Sequence, residues 1–204
     1  MTQTTAWDNP EICRHILATK FPPLKDSTHF LPLKECVSRA NESKTVLDVG
    51  CCKAELAKTF PDLDYIGADL EHIIEGVSKV LQPSLKYVYF NADNDDYSFM
   101  SNYDIIVMNS FLSETTNPLI VLDQVLQYAS KYVILHRQDI SIADTHLVEY
   151  NTYGGLKATN SIINRQDFIE MLENRGWTIG FETNSFESDE PDKKTLLLTK
   201  DSSV

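Results

Sequence analysis

The 204-residue sequence contains no apolar run of membrane-spanning length. Its longest apolar runs, at 104–108 and 195–199, are strand-length and fall far short of the roughly 18 residues that a spanning helix needs. The amino-terminal stretch MTQTTAWDNPE also lacks the basic and apolar regions of a signal peptide. These absences predict a soluble, cytoplasmic protein without a membrane partner.

Basic residues are scarce, since 18 Lys and Arg stand against 30 Asp and Glu, which gives a formal net charge of −12. Affinity for duplex DNA or RNA comes largely from positive side chains that neutralise phosphates. The composition therefore argues against a nucleic-acid partner, although it is compatible with a local basic cleft.

Cysteine is sparse and poorly spaced for metal binding or for a disulfide framework. The four cysteines are Cys13, Cys36, Cys51 and Cys52, and the adjacent pair cannot form an ordinary loop-closing bridge. No CxxC pair and no Cys/His cluster has zinc-like spacing. We therefore expect reduced thiols and no metal site.

Strand-like segments alternate with helix-like segments from residue 45 onwards. Predicted strands cover 45–49, 65–68, 86–90, 103–108, 132–135, 177–183 and 194–199. Predicted helices cover 53–60, 71–81, 117–129 and a segment that starts after Asn164. This alternation indicates an α/β fold with a mostly parallel seven-stranded sheet covered by helices on both faces. No helix separates the last two strands, so the acidic tip at 187–192 should join them as an antiparallel hairpin.

Residues 1–43 are predicted to form an N-terminal helical extension, and residues 44–204 the main domain. The pair Asn9-Pro10 has the residue types of a helix N-cap and first turn. The buried stripe of this first helix is expected to comprise Ile12, Ile16 and Leu17.

The segment 137–163 has no clear periodicity and is longer than an ordinary connection between elements. It mixes aromatic, basic and polar residues, and Gly154-Gly155 offers a hinge or a close approach of the backbone. These features predict an irregular lid over a substrate.

Residues just after each predicted strand are candidates for ligand binding, because ligands in open α/β sheets bind outside the carboxyl ends of the strands. A tight turn at Gly50 would let the backbone approach a ligand. One strand over, the carboxylate of Asp69 could accept hydrogen bonds from both hydroxyls of a ribose. The third predicted strand is followed by Asn91 and Asp93, which could reach an adenine amine.

The segment TVLDVGCCKAELAKTF, followed by DYIGADL, resembles the first two motifs of the class I S-adenosylmethionine-dependent methyltransferases. FNADNDDYSF and SNYDIIVMNSFLSETTNPLIVLDQVL resemble the third and fourth segments of that family, and the final hairpin is also one of its hallmarks. The resemblance covers about residues 44–200. It implies a Rossmann-like three-layer αβα sandwich and S-adenosyl-L-methionine as the cofactor.

The resemblance also implies roles for individual residues. Asp69 would hold the ribose, Asp93 would lie beside the adenine, and an acidic wall near Asp48 would suit the positive sulfonium. The implied cofactor-binding set is Asp48, Gly50, Cys51, Cys52, Asp69, Leu70, Asp93, Asn109 and Ser110. Simpler roles stay open, since Asp48 could brace the turn, Asp69 could cap the next helix and Asp93 could belong to a solvated loop.

The turn after the first strand departs from the family pattern acid-x-Gly-x-Gly-x-Gly, because only Gly50 is kept. Ala54, at the third glycine position, still allows close helix packing. Cys52, at the second, would fill space near the amino-acid end of the cofactor and would strain a positive φ.

On the acceptor side, His136 follows the fifth predicted strand, where a general base could reach an acceptor. Arg137, Tyr153 and Lys157 are predicted to bind the substrate. Arg137, Lys157 and Arg165 would suit a carboxylate or phosphate on a small molecule. The simpler alternatives are a hydrogen-bonded rim position for His136, a surface ion pair for Arg137 and a packing role for Tyr153.

Three functional hypotheses follow. The first is methyl transfer from S-adenosylmethionine to an oxygen or nitrogen of a small-molecule acceptor, because NSFL replaces the NPPY-type tetrapeptide of enzymes that methylate nucleic-acid adenine or glutamine. The second is a non-catalytic methyltransferase-like binding or scaffold domain. The third, a nicotinamide-dependent oxidoreductase, needs a G-x-G-x-x-G turn that the stretch GCCKAE does not match.

Overall fold

A computed structural model describes residues 6–40, 42–186 and 193–200, so the predicted acidic tip at 187–192 lies outside the described residues. The nine strands of this part are β1 (Thr45–Val49), β2 (Asp64–Asp69), β3 (Lys86–Tyr89), β4 (Ile105–Asn109), β5 (Tyr132–Ser141), β6 (His146–Asn151), β7 (Lys157–Asn164), β8 (Trp177–Asn184) and β9 (Lys193–Lys200). The α-helices are α1 (Ile12–Ala18), α2 (Phe30–Arg39), α3 (Glu55–Thr59), α4 (Glu71–Ile73), α5 (Lys79–Leu81), α6 (Pro118–Tyr128) and α7 (Arg165–Asn174). A π-helical turn, Ile74–Ser78, joins α4 to α5. No helix within these described ranges is both long and apolar enough to cross a bilayer.

The main sheet has the strand order β3-β2-β1-β4-β5-β9-β8. The first five of these strands are parallel, whereas β9 runs antiparallel to both β5 and β8. The predicted mostly parallel sheet with a C-terminal antiparallel hairpin is therefore confirmed, and the strands β7 and β6, joined to the end of β5, raise the predicted seven strands to nine.

Two apolar layers cover the sheet, one on each face. Along β1, Leu47 and Val49 pack into the cluster that α6 and α7 complete, while Val46 packs into the cluster that α2 and α3 complete. This alternation follows from the two-residue period of a strand, and burial on both faces explains why β1 reads as a continuous apolar run. The result is the predicted αβα sandwich.

The prediction that 137–163 is irregular is wrong. The strand β5 continues to Ser141, and β6 and β7 form an antiparallel hairpin whose second strand runs parallel to the end of β5. The hairpin is not recognisable in the sequence for two reasons. All residues of β6 except Tyr150 are exposed, and β7 buries the polar Thr159 and Ser161. Apolar alternation, the usual signal of a strand, is therefore weak here.

The N-terminal helices differ in detail from the prediction. The helix α1 begins at Ile12, and the side chain of Asn9 accepts a hydrogen bond from the amide of Glu11 (3.0 Å) just before it. Ile12 and Ile16 are buried as predicted, but Leu17 is 41% exposed and does not belong to the buried stripe.

The hairpin turn between β6 and β7 packs closely on α1. Gly154 adopts φ +66, and a Cβ built there would lie 2.5 Å from the ring of His15. The expected close approach of the backbone at this glycine is thus observed, and the element approached is α1. This contact holds the hairpin against the N-terminal segment.

The carboxyl-terminal elements are fixed by a capped helix and a buried tryptophan. The side chain of Asn164 accepts hydrogen bonds from the amides of Gln166 and Asp167, which confirms the predicted N-cap of α7. Trp177, at the start of β8, is 1% exposed and donates its indole N–H to the carbonyl oxygen of Leu126 (3.1 Å). This bond ties the hairpin β8–β9 to α6.

We expect Trp177→Ala to lower the free energy of unfolding by about 3–5 kcal/mol, because it empties a large buried site and leaves the carbonyl of Leu126 without its donor. Urea denaturation measures this change. Ile120→Ala is the control, since Ile120 is exposed on α6 and its truncation should cost less than about 0.5 kcal/mol. Equal costs for the two variants would contradict the assigned role of Trp177.

Candidate functional site

A cavity of about 750 Å³ opens at the carboxyl ends of β1, β2 and β4. All nine predicted cofactor-binding residues line it, namely Asp48, Gly50, Cys51, Cys52, Asp69, Leu70, Asp93, Asn109 and Ser110. The predicted substrate-binding residues Arg137 and Tyr153 also line it, whereas His136 and Lys157 do not.

The register of the parallel strands brings these residues together. Val49 lies beside Ala68 of β2 and beside Met108 of β4. The next residue of each strand or turn, Gly50, Asp69 and Asn109, therefore emerges at the same edge of the sheet. Residues far apart in sequence meet here because parallel strands end on one side.

The turn after β1 keeps a glycine-like backbone although it has lost two glycines. Gly50, Cys52 and Ala54 occupy the three glycine positions of the family pattern. Their φ angles are +75, +43 and +52. A left-handed conformation costs a residue with a side chain about 1 kcal/mol. The expected positive φ at Cys52 is thus observed, and the fold holds this turn in shape against that cost.

Asp69 braces this turn from the neighbouring strand. Its Oδ2 accepts a hydrogen bond from the amide of Cys52 (2.9 Å), and its Oδ1 accepts one from the amide of Leu70 (2.8 Å). Burial raises the pKa of Asp69 to about 6, while the two amide bonds act in the opposite direction. The helix-cap alternative is not observed, since the N-cap residue of α4 is Leu70, and Asp69 bonds to the amides of Cys52 and Leu70 instead of capping the first turn of α4.

Asp48 lies deeper, at the end of β1. It is buried, and its Oδ2 accepts a hydrogen bond from the hydroxyl of Tyr65 (2.8 Å). Burial raises the pKa of Asp48 to about 7, the bond from Tyr65 lowers it, and the nearby charge of Asp69 raises it again. This side of the cavity therefore holds carboxyl groups that change charge near neutral pH.

The segment after β3 forms the open end of the cavity. Asp93 is exposed, and its amide donates a hydrogen bond to the side chain of Asn91 (3.0 Å). Tyr97 anchors the segment by donating its hydroxyl to the carbonyl oxygen of Ala92 (2.8 Å). Asp93 therefore lies on an ordered turn at the cavity wall.

His136 is placed differently from the prediction. It is 0% exposed, its Nδ1 lies 2.8 Å from the hydroxyl of Thr195, and its Nε2 lies 2.9 Å from Nδ1 of His29. Burial lowers the pKa of His136 well below its usual range. An acceptor in the cavity cannot touch His136, because the side chain points into the protein beneath His29.

His29 lines the cavity instead, and no local sequence pattern indicates this role. The hydroxyl of Ser27 donates to the carbonyl of Leu24 (2.7 Å), so its oxygen is free to accept a hydrogen bond from Nδ1 of His29 (3.4 Å). The tautomer of His29 with the hydrogen on Nδ1 also donates to Nε2 of His136, and it would leave the lone pair on Nε2 of His29. Burial and the charge of Arg137 lower the pKa of His29 to about 4, so the ring is neutral at pH 7.

Two of the predicted substrate-side cations lie outside the cavity. Lys157 has a side chain that is 75% exposed and an ion pair with Glu149 (3.3 Å). Arg165 is engaged with Glu182 through two bonds of 2.6 Å. Surface pairing, the simpler alternative, therefore describes both of these residues.

The N-terminal segment and the hairpin β6–β7 close the other side of the cavity. Glu114 accepts hydrogen bonds from the indole of Trp7 (2.9 Å) and from the hydroxyl of Tyr150. Tyr153 packs edge-to-face against Trp7 and Phe21, with ring centroids 6.0 and 5.9 Å apart. Glu114 follows β4 and could have been considered from sequence, whereas Trp7 and Tyr150 carry no local signal.

The cysteines at the cavity are thiols without activation. Cys51 and Cys52 are free, and burial raises the pKa of both, to about 12 for Cys52. Thiols of this kind are poor nucleophiles at neutral pH. Within the described ranges no group of three or more metal-binding side chains is placed to hold a metal ion.

Several solved structures with a similar fold are S-adenosylmethionine-dependent methyltransferases. CalS10, an amino pentose methyltransferase from Micromonospora echinaspora solved with S-adenosylmethionine, is 10% identical, with a TM-score of 0.63 over 86% of this chain and 92% of that one. A methyltransferase from Mesorhizobium loti is 11% identical, with a TM-score of 0.65 over 87% and 100%. Magnesium protoporphyrin IX methyltransferase from Synechocystis PCC 6803, solved with S-adenosylhomocysteine, is 12% identical, with a TM-score of 0.59 over 94% of each chain. The chain has the class I S-adenosylmethionine-dependent methyltransferase fold.

No curated protein sequence matches the chain. A family model described as "Methionine biosynthesis protein MetW" matches residues 30–138. This match covers more than half of the chain and spans the strands β1 to β4, the turn after β1 and most of the cavity wall. The chain therefore belongs to the MetW family.

Proposed function

We propose that this protein binds S-adenosylmethionine and transfers its methyl group to an oxygen or nitrogen of a small-molecule acceptor. The observation that carries the proposal is the cavity at the strand ends, which gathers all nine residues that the family resemblance implies for the cofactor. The family match and the fold agree with this function. Bound S-adenosylmethionine would supply a methyl group already activated on a sulfonium.

The residues present fit the cofactor. The turn at 50–54 keeps positive φ at each former glycine position, so its backbone has the shape of a glycine turn, with the Cys52 side chain added at the cavity wall. Asp69 holds this turn and keeps lone pairs on both oxygens for ribose hydroxyls. Asp48 and Asp69 give this end of the cavity the negative charge that suits a sulfonium.

The acceptor would occupy the side formed by the N-terminal segment and the hairpin β6–β7. Trp7, Tyr150 and Tyr153 would exclude water and hold the acceptor in place, which supplies much of the rate in methyl transfer. His29, with a free lone pair on Nε2, takes the role first predicted for His136 and would accept the proton of a hydroxyl or amine.

Asp69→Asn is expected to weaken S-adenosylhomocysteine binding by about 1–3 kcal/mol, because it removes the charge from the acceptor of the ribose hydrogen bonds. Isothermal titration calorimetry measures the change. Asp64→Asn is the matched control, since Asp64 lies exposed at the opposite end of the same strand.

If Asp69→Asn and the parent bind S-adenosylhomocysteine with equal affinity, Asp69 does not contact the ligand. Absence of binding by the parent itself would favour the scaffold hypothesis, in which the turn kept its shape but lost its ligand. Denaturation of each variant checks that the turn, which Asp69 also braces, is intact.

Cys52→Gly is expected to tighten S-adenosylhomocysteine binding modestly, about threefold, because it clears a side chain from the cavity wall and relieves the positive φ. Ala54→Gly is the control, since it relieves a positive φ of similar size at a buried residue that does not line the cavity. Weaker binding by Cys52→Gly in calorimetry would show that the thiol makes favourable contacts with the ligand.

The affinity for S-adenosylmethionine, relative to S-adenosylhomocysteine, is expected to fall about fivefold between about pH 8 and about pH 6. Asp48 has a pKa raised to about 7, so it is ionised above this range and becomes protonated as the pH falls. Protonation of Asp48 removes an attraction to the positive sulfonium of S-adenosylmethionine, whereas the thioether of S-adenosylhomocysteine is neutral and loses none. Competition calorimetry gives the ratio. Asp48→Asn should remove most of the fall and leave a smaller one near pH 6, where Asp69 becomes protonated. A ratio that rises on acidification would contradict the assignment.

A further inference from the structure

Arg137 differs from the other partly buried arginines of this chain. Arg165 and Arg175 each hold a carboxylate through two hydrogen bonds of 2.6 Å. Arg137 is half-buried and lines the cavity, yet among the described residues no carboxylate lies in ion-pair contact with it. A desolvated guanidinium without a partner is unfavourable for stability alone.

The fold holds Arg137 in place at a cost. It has φ +57 at a bulge where the pairing of β5 with β9 shifts register between Leu135 and Gln138. Its amide donates to the hydroxyl of Ser185 (3.2 Å), and its Nε donates to Oδ1 of Asn109 (2.9 Å). The backbone is therefore in a sparsely populated conformation that presents the side chain to the cavity.

The remaining donors of Arg137 have no partner. Its Nη1 and Nη2 atoms make no hydrogen bond with any described residue. Glu114 is close enough to influence Arg137 electrostatically, but its two oxygens are held by Trp7 and Tyr150. Arg137 lines the cavity, and a guanidinium whose two terminal nitrogens are uncommitted can bind a carboxylate through two parallel hydrogen bonds.

The charges around Arg137 select among anions. The nearest acidic group, Glu114, would repel a dianion such as a phosphate monoester. Lys53, the other cation that lines the cavity, donates to the carbonyl of Thr19 (2.9 Å) and lies over the ring of Phe21. A single guanidinium opposed by one carboxylate suits a monoanion.

The walls beside Arg137 select an apolar body for the ligand. Tyr153 packs edge-to-face with Trp7 and Phe21, and all three side chains line the cavity. An aromatic wall of this kind binds a flat apolar group with little loss of side-chain freedom.

We propose that Arg137 is the specificity residue of the acceptor pocket and that it binds a carboxylate on an acceptor with a flat apolar body. The proposal rests on the proposed function and names the class of its acceptor. Of the three cations expected on the substrate side, Arg137 alone carries this role, because Lys157 and Arg165 are paired outside the cavity.

The test measures the affinities of three probes that share a phenyl ring and carry a monoanionic, a neutral or a dianionic polar group. Phenylacetate, phenylacetamide and phenyl phosphate are titrated into the full chain by calorimetry, with and without S-adenosylhomocysteine. Phenylacetate is expected to bind about tenfold more tightly than phenylacetamide and more tightly than phenyl phosphate. Arg137→Gln should abolish the preference and Arg137→Lys should retain part of it. Lys157→Gln, which removes one positive charge outside the cavity, should leave the preference unchanged.

Equal binding of phenylacetate and phenylacetamide, or a preference that survives in Arg137→Gln, would overturn the proposal. If phenyl phosphate binds more tightly than phenylacetate, the group that Arg137 binds is a phosphate ester and not a carboxylate. A further overturning result is a tenfold loss of S-adenosylhomocysteine affinity in Arg137→Gln with unchanged affinity for methylthioadenosine, since Arg137 would then bind the carboxylate of the cofactor itself. The titrations without S-adenosylhomocysteine keep this test separate from failure of the proposed function, which absence of cofactor binding by the parent would reveal.

Discussion

The hydrogen bond from the amide of Cys52 to the carboxylate of Asp69 is the interaction on which the rest of the cavity depends. It ties the turn after β1 to the end of β2 and holds that turn with positive φ although two of its three glycine positions have side chains. The strain of about 1 kcal/mol per residue is small beside the burial energy of the two strands that flank the turn. A sheet with apolar layers on both faces can therefore keep a ligand-binding backbone after the glycines that usually permit it are gone.

The second constraint is the way in which the chain before β1 closes the cavity. Trp7 donates to Glu114 after β4, and His29 contacts His136, which lies within β5 beside the end of β4. Each bond joins an N-terminal residue to the edge of the sheet where the strands end. The N-terminal segment thus contributes side chains to the same cavity as the motifs of the sheet, and the cavity is shaped by both.

Much of the fold could be predicted because its signals are local. The apolar runs of β1 and β4 indicate strands that are buried on both faces. Asn164 indicates a helix N-cap, and in the structure its side chain accepts hydrogen bonds from two backbone amides. The hairpin β6–β7 gave no such signal. Its buried Ser161 is stable there because its hydroxyl donates to the carbonyl of Leu112 (2.7 Å), a partner 49 residues away that no local pattern reveals. The strand β6 lacks apolar alternation because most of its residues are exposed, so it has no buried face that needs apolar side chains.

The sequence by itself determined the order of β1 to β5, the closing hairpin β8–β9 and which residues follow β1, β2 and β4, because hydrophobic periodicity and turn chemistry act over a few neighbouring residues. Parallel strands end at one edge, so Gly50, Asp69 and Asn109 were bound to meet once that order was set. Only the tertiary structure decided that His136 is buried beneath His29, that Lys157 is exposed and that Arg137 lines the cavity, where no carboxylate of the described residues forms an ion pair with it. These outcomes depend on side-chain direction at a bulge and on contacts between residues distant in the chain, and neither leaves a trace in local sequence.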